Sequence, residues 1–228
     1  QKTAYEMLRS LVGSEMCIRD RACNTASAKA LRTIQQKDLP RIDPSRRVLG
    51  VIRPTTEVVG NYSHSGEVGI MGTVGTVQSE SYPIEIAKFF PGLKVYQEAC
   101  PMWVPLVEND EYDKPGADYF IRQHINRLLE QSPRIDTLLL ACTHYPLLID
   151  KIRQFAPQGM TILSQGAIVA PSLEKYLANH PEMAAKCTTG GQLQFYTTDS
   201  PADFDNHATR FFGKPVTSKH LDLQSFKC

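Results

Sequence analysis

The chain predicts a parallel α/β architecture, and three observations carry that reading. From Ala22 onward, short apolar runs alternate with stretches of helical spacing. Ile135-Asp136-Thr137-Leu138-Leu139-Leu140 is the kind of near-continuous apolar run that forms a buried parallel strand. Two turns also echo each other: Ala22-Cys23-Asn24-Thr25 and Ala141-Cys142-Thr143-His144 each set a cysteine beside small hydroxyl or amide groups, just before a helical stretch.

The elements follow in order. Ala26 to Lys37 places alanine and leucine at helical spacing, with Pro40 just beyond its end. Val48 to Ile52 reads as a short strand closed by Pro54, and Glu67 to Met71 as another that runs into Gly72-Thr73-Val74-Gly75-Thr76. Ser79 to Phe90 reads as helix and Leu93 to Tyr96 as strand. Pro101 to Glu108 and Ala117 to Gln131 read as helices with one apolar face. Thr137 to Leu140 is a strand with a helix behind it, Pro146 to Phe155. Met160 to Leu163 is a strand, followed by a helix from Ala167 to Leu177 that Pro171 interrupts early. Leu193 to Thr197 is a strand, and Ser200-Pro201-Ala202-Asp203 is a helix-start signature of cap, proline and acid. Boundaries near Arg53-Pro54 and in the polar stretch between His180 and Gln192 divide the chain into 22–53 with 185–228, and 54–184.

Residues 1–21 read differently. Leu11-Val12-Gly13-Ser14-Glu15-Met16-Cys17-Ile18-Arg19-Asp20-Arg21 stands where the first cysteine needs a strand, yet it puts charges where a buried strand is apolar. It resembles translated cloning or adapter sequence, so 1–21 is read as foreign to the fold.

The bulk numbers narrow the function classes. A chain of 228 residues can bury a core as one large domain or two small ones. Lysine plus arginine total 25 against 24 aspartate plus glutamate, which gives no argument for a nucleic-acid or anionic-membrane surface. No apolar stretch reaches spanning length, so the expectation is a soluble, cytoplasmic protein. The six cysteines (17, 23, 100, 142, 187 and 228) contain no CxxC pair, which argues against a zinc site and leaves the thiols reduced.

A cysteine at a strand-to-helix junction sits near backbone N–H groups that favour its thiolate. One thiolate and one thiol on opposite faces of a carbon can remove a proton and return another from the far side, inverting the centre. Cys23 and Cys142 are the candidates because their contexts match. The other four cysteines read as small buried or simply exposed residues. His144 can hold a proton for the nearby thiol, and Glu108 is either its charge partner or the solvated end of an apolar helix. Asn24, Thr25 and Thr143 can hydrogen-bond a substrate carboxylate or cap helices. Gly72 to Thr76 lacks both the dinucleotide fingerprint and a P-loop lysine, so Thr73 and Thr76 fit a carboxylate better than a nucleotide.

Ala22-Cys23-Asn24-Thr25-Ala26-Ser27-Ala28, Gly50-Val51-Ile52, Gly72-Thr73 with Thr76, and Ala141-Cys142-Thr143-His144-Tyr145-Pro146-Leu147-Leu148 resemble glutamate racemase, of the cofactor-independent aspartate/glutamate racemase superfamily. The resemblance runs from Ala22 to about residue 223. It implies two pseudo-symmetric α/β domains with the site between them, and interconversion of L- and D-glutamate for peptidoglycan. Cys23 and Cys142 would be the acid/base pair, with His144 and Glu108 beside the second. Asn24, Thr25, Thr73, Thr76, Thr143 and His144 would contact substrate. It implies glutamate as the small-molecule partner, no cofactor and no metal, and leaves a homodimer open. Aspartate or hydantoin racemisation, or a non-catalytic ligand-binding remnant, are the alternatives. The family's glycine-rich Asp-Ser turn and later Tyr-Gly pair do not appear upstream of Ala22. That departure implies a first domain short of two strands, an uncovered sheet edge, and an isolated chain that aggregates or lacks turnover.

Overall fold

The structure, a computed structural model, describes residues 18–187, 190, 191 and 193–222. Its strands are β1 (Ile18–Arg21), β2 (Arg47–Gly50), β3 (Glu67–Gly72), β4 (Lys94–Ala99), β5 (Thr137–Ala141), β6 (Thr161–Ser164), β7 (Phe195–Thr197) and β8 (Ser218–His220). They form a four-stranded sheet in the order β4-β3-β5-β6 and two pairs, β1-β2 and β7-β8. Every pairing is parallel, as the alternation of strands and helices predicts.

The two central strands explain the apolar runs. Every residue of β3 and of β5 is buried, because helices cover both faces of the sheet. The period of two then sorts the side chains. Leu138 and Leu140 enter one core with Trp103, Ile121, Ile125, Leu128 and Ile152. Leu139 and Ala141 enter the other, with Ile52, Val68, Ile70, Tyr82 and Ile86. A third, smaller cluster joins Ile34 to Val48 under the first helix. Each fully buried aliphatic side chain contributes roughly 1.5–3 kcal/mol, so the two faces of this sheet supply most of the cohesion.

The first helix, α1, spans residues 24–42, with π-helical stretches at Ser27–Leu31 and Ile34–Asp38. It runs past Pro40, which was expected to lie beyond its end. The wide turns hand over to a new α segment at Leu39, and Pro40 falls in that segment's first turn, where a missing N–H costs nothing. The strand expected over 48–52 stops at Gly50, and Ile52–Thr56 is helical with Pro54 in its first turn. Gly166–Asn179 continues unbroken through Pro171, since one missing intrahelical bond does not end a helix of 14 residues. Ser200 caps Pro201–Phe212 as its signature predicts, its Oγ accepting from the Asp203 N–H at 3.4 Å. That helix connects β7 to β8, and β8 is a strand the sequence did not announce.

Part of the segment read as foreign takes a place in the fold. Ile18–Arg21 pairs with Arg47–Gly50 over four residues, directly ahead of Cys23. A parallel ladder is made by backbone groups, so charged side chains do not prevent it. Residues 1–17, including Cys17, and residues 223–228, including Cys228, lie outside the described residues. Among the described residues no helix is long and apolar enough to cross a membrane.

Candidate active site

Strand register builds the site. Gly72 at the end of β3 is level with Ala99 of β4 and Ala141 of β5. Thr73, Cys100 and Cys142 therefore leave the sheet side by side. Leu140 is level with Ser164, so Gln165 leaves β6 beside them. This is the carboxyl edge, where open parallel sheets bind ligands.

Cys23 follows β1 and caps α1. Its Sγ accepts from the Ala26 N–H at 3.5 Å, and the residue is exposed. Cys142 follows β5 and is buried. Burial pushes its thiol above the ordinary value; the backbone N–H groups of His144, Thr143 and Tyr145 pull the other way, and a negative charge on Cys23 raises it further. The expectation that a helix start lowers both thiols thus meets a correction at Cys142, where desolvation outweighs the backbone donors. The influence of Cys23 on Cys142 also means that the two sulfurs lie within electrostatic reach.

His144 Nδ1 lies 3.8 Å from the Cys142 sulfur, and its Nε2 lies 2.9 Å from Glu108 Oε1. A carboxylate accepts only, so Nε2 carries the proton in this pair. In the neutral ring Nδ1 then holds a lone pair facing the thiol, and Cys142, His144 and Glu108 form a proton relay. Behind them, Tyr145 donates to the Cys100 carbonyl at 3.1 Å, and Trp103 packs edge-on against its ring at 4.8 Å. That wall fixes the turn after Cys142.

Three threonines share one cluster. Thr25 Oγ1 is 2.7 Å from Thr73 Oγ1 and 3.3 Å from Thr76 Oγ1; Thr73 and Thr76 are 3.1 Å apart. Thr73 also caps Val74–Gln78, accepting from the Thr76 N–H at 3.2 Å. Gly75 permits this approach. A Cβ there would stand 3.0 Å from Thr25 Cγ2 and 3.1 Å from Lys29 Cε, tighter than side chains normally pack. Thr143 is exposed on the turn between Cys142 and His144.

Asn24 behaves unlike its neighbours. Its side chain points inward, donating to Gln165 Oε1 at 2.5 Å and accepting from the Tyr82 hydroxyl at 2.5 Å. Gln165 Nε2 lies 2.7 Å from that hydroxyl and 3.1 Å from Thr55 Oγ1. Sequence reasoning did not find Tyr82 or Gln165. The available signal was the position of Gln165 at the carboxyl end of a strand.

The comparisons enter at this point. No protein-family model matches the chain. A glutamate racemase from Lactiplantibacillus plantarum is 32% identical over 224 residues, covering 97% of this chain and 79% of that protein. The crystal structure of a glutamate racemase isoform from Bacillus anthracis superposes with a TM-score of 0.83 at 31% identity, over 96% of this chain and 79% of its own. One from Thermus thermophilus, in complex with β-chloro-D-alanine, gives 0.75 at 28% identity, over 97% and 78%. A chain matched at this identity, over nearly its whole length and most of its relative's, belongs to the glutamate racemase family.

Proposed function

We propose that Cys23 and Cys142 are the two acid/base groups of the racemisation. As a member of its family the chain is an amino-acid isomerase that interconverts L- and D-glutamate, and the D-glutamate serves peptidoglycan synthesis and so cell-wall biogenesis and cell shape. The mechanism follows from sulfur chemistry. A thiolate takes the α-proton from one face of glutamate while a thiol gives its proton to the other face. The carbanion's electron pair becomes the new C–H bond, the two sulfurs end with exchanged protonation states, and the centre is inverted.

The carbanion is the difficult species. Hydrogen bonds to the α-carboxylate stabilise it, and Thr25, Thr73, Thr76 and Thr143 provide hydroxyls at the same sheet edge as Cys142. His144, oriented by Glu108, passes the Cys142 proton in and out. The reading uses no cofactor and no metal. The single observation that carries it is the electrostatic coupling between two thiols, each at a strand-to-helix turn.

Three further elements belong to the proposal. The site lies between one domain formed by 22–53 with 185–228 and another formed by 54–184. The compartment is the cytoplasm, where catalytic thiols stay reduced. A homodimer is open to test by sedimentation at micromolar concentration.

The deciding experiment follows the circular dichroism of D-glutamate as it racemises. Wild-type chain abolishes the signal, and Cys23→Ser and Cys142→Ser each leave it intact. Full two-way activity in either variant ends the two-thiol reading.

A further inference from the structure

We infer that Asn24 acts on catalysis from inside the protein, as one member of a closed amide–phenol–amide ring with Tyr82 and Gln165 that positions the Cys23 turn. The inference rests on the reading of Cys23 as an acid/base group, and it departs from the expectation that the Asn24 side chain contacts substrate.

The geometry of the ring carries the argument. Asn24 donates to Gln165, Gln165 donates to the Tyr82 hydroxyl, and Tyr82 donates back to Asn24, at 2.5, 2.7 and 2.5 Å. Each bond polarises the next in the same sense around the circuit. Asn24 is 2% exposed, Tyr82 0% and Gln165 7%, so water does not replace a lost partner. The partners come from far along the chain, separated by 58, 141 and 83 residues. Gln165 leaves β6 beside Cys142, Tyr82 sits in the helix Ser81–Phe89, and Asn24 is bonded to Cys23. Gln165 Nε2 also lies 3.1 Å from Thr55 Oγ1, whose hydroxyl donates to the Val51 carbonyl at 3.0 Å. The ring therefore ties the turn that carries one sulfur to the sheet edge that carries the other. Both polar atoms of Asn24 are already engaged within this ring.

Tyr82 and Gln165 are thus positioning residues, and kinetics separates this role from substrate contact. A misplaced acid/base group lowers kcat, whereas a lost substrate contact of uniform strength raises KM. Tyr82→Phe keeps the ring shape and removes the hydroxyl. We expect it to lower kcat for glutamate racemisation about 10- to 100-fold with KM within about threefold of wild type. Asn24→Ala should give the same pattern. The double variant should be no worse than the poorer single, because both break one circuit. Gln165→Glu serves as an independent probe: its carboxylate still accepts from Asn24 but cannot donate to Tyr82, and an intermediate loss of kcat is expected. Thermal melts of each variant establish that it is folded.

If Asn24→Ala raises KM and the two single effects multiply, the positioning inference is overturned. Cys23→Ser run in parallel separates the levels. Loss of racemisation in Cys23→Ser with unchanged kcat in Tyr82→Phe rejects the ring alone, and retained racemisation in Cys23→Ser rejects the reading beneath it.

Discussion

Asp136 opens β5, the strand that ends at Cys142, and its removal should destabilise the fold in a pH-dependent way. Its carboxylate accepts from the Ser63 hydroxyl at 2.7 Å and from the backbone N–H groups of His64 at 2.8 Å and Ser65 at 2.7 Å, with the Thr137 hydroxyl 3.1 Å away. Burial opposes ionisation, but these four donors outweigh it and hold the group down at about 2, against an ordinary 3.8. That difference corresponds to at most about 2.4 kcal/mol, and partial exposure to solvent reduces it to about 1–2 kcal/mol. The folded state favours the ionised form. The stabilisation is therefore complete above pH 3.8 and is lost as pH falls through about 2. Asp136→Asn should lose about 1–2 kcal/mol in urea unfolding at pH 7. The gap to wild type should close as both are titrated towards pH 2. A variant as stable as wild type at pH 7, or a gap that does not change with pH, would refute the reasoning.

Other perturbations test the site and the core. Cys23→Ser and Cys142→Ser should each lower kcat/KM by about 10²- to 10⁴-fold, measured from both enantiomers. Glu108→Gln removes the charge that orients His144, and should lower kcat by about tenfold while leaving stability within about 0.5 kcal/mol, since the carboxylate is largely exposed. Burial holds the Cys142 thiol above its ordinary value of 9.0, so the reaction direction that needs it as thiolate should keep accelerating as pH rises past neutrality; a flat profile from pH 7 to 9 in both directions contradicts this. Leu128→Ala opens a cavity between the helix Pro115–Gln131 and β3, and should cost about 2–4 kcal/mol in denaturant unfolding without changing the identity of the product.

What could be read from the sequence follows its physical encoding. β5 was plain because a strand covered on both faces must be apolar at every position, and Thr137–Ala141 is. Ser200 was plain because a helix cap is a local device. The cysteine turns were visible for the same reason: chemistry and cap lie within four residues. By contrast β8, three residues of Ser-Lys-His, has no apolar signature and exists only because Phe195–Thr197 offers a partner. Pro40 and Pro171 misled because local propensity was read as a stop, where the position in the turn or the length of the helix decided otherwise. The Asn24–Tyr82–Gln165 ring was invisible because its members are brought together by the sheet, not by spacing. The direction of the Cys142 perturbation needed burial, which a motif does not report.

Solvent-isotope tracing reaches the heart of the account. Starting from protiated L-glutamate in deuterium oxide, the account predicts that the first D-glutamate formed carries deuterium at the α-carbon, while unreacted L-glutamate stays protiated, because one sulfur takes the proton and a different, solvent-exchanged sulfur supplies its replacement. Early D-glutamate that retains the substrate's own α-proton would mean a single shuttling base, and would contradict the assignment of Cys23 and Cys142 to opposite faces.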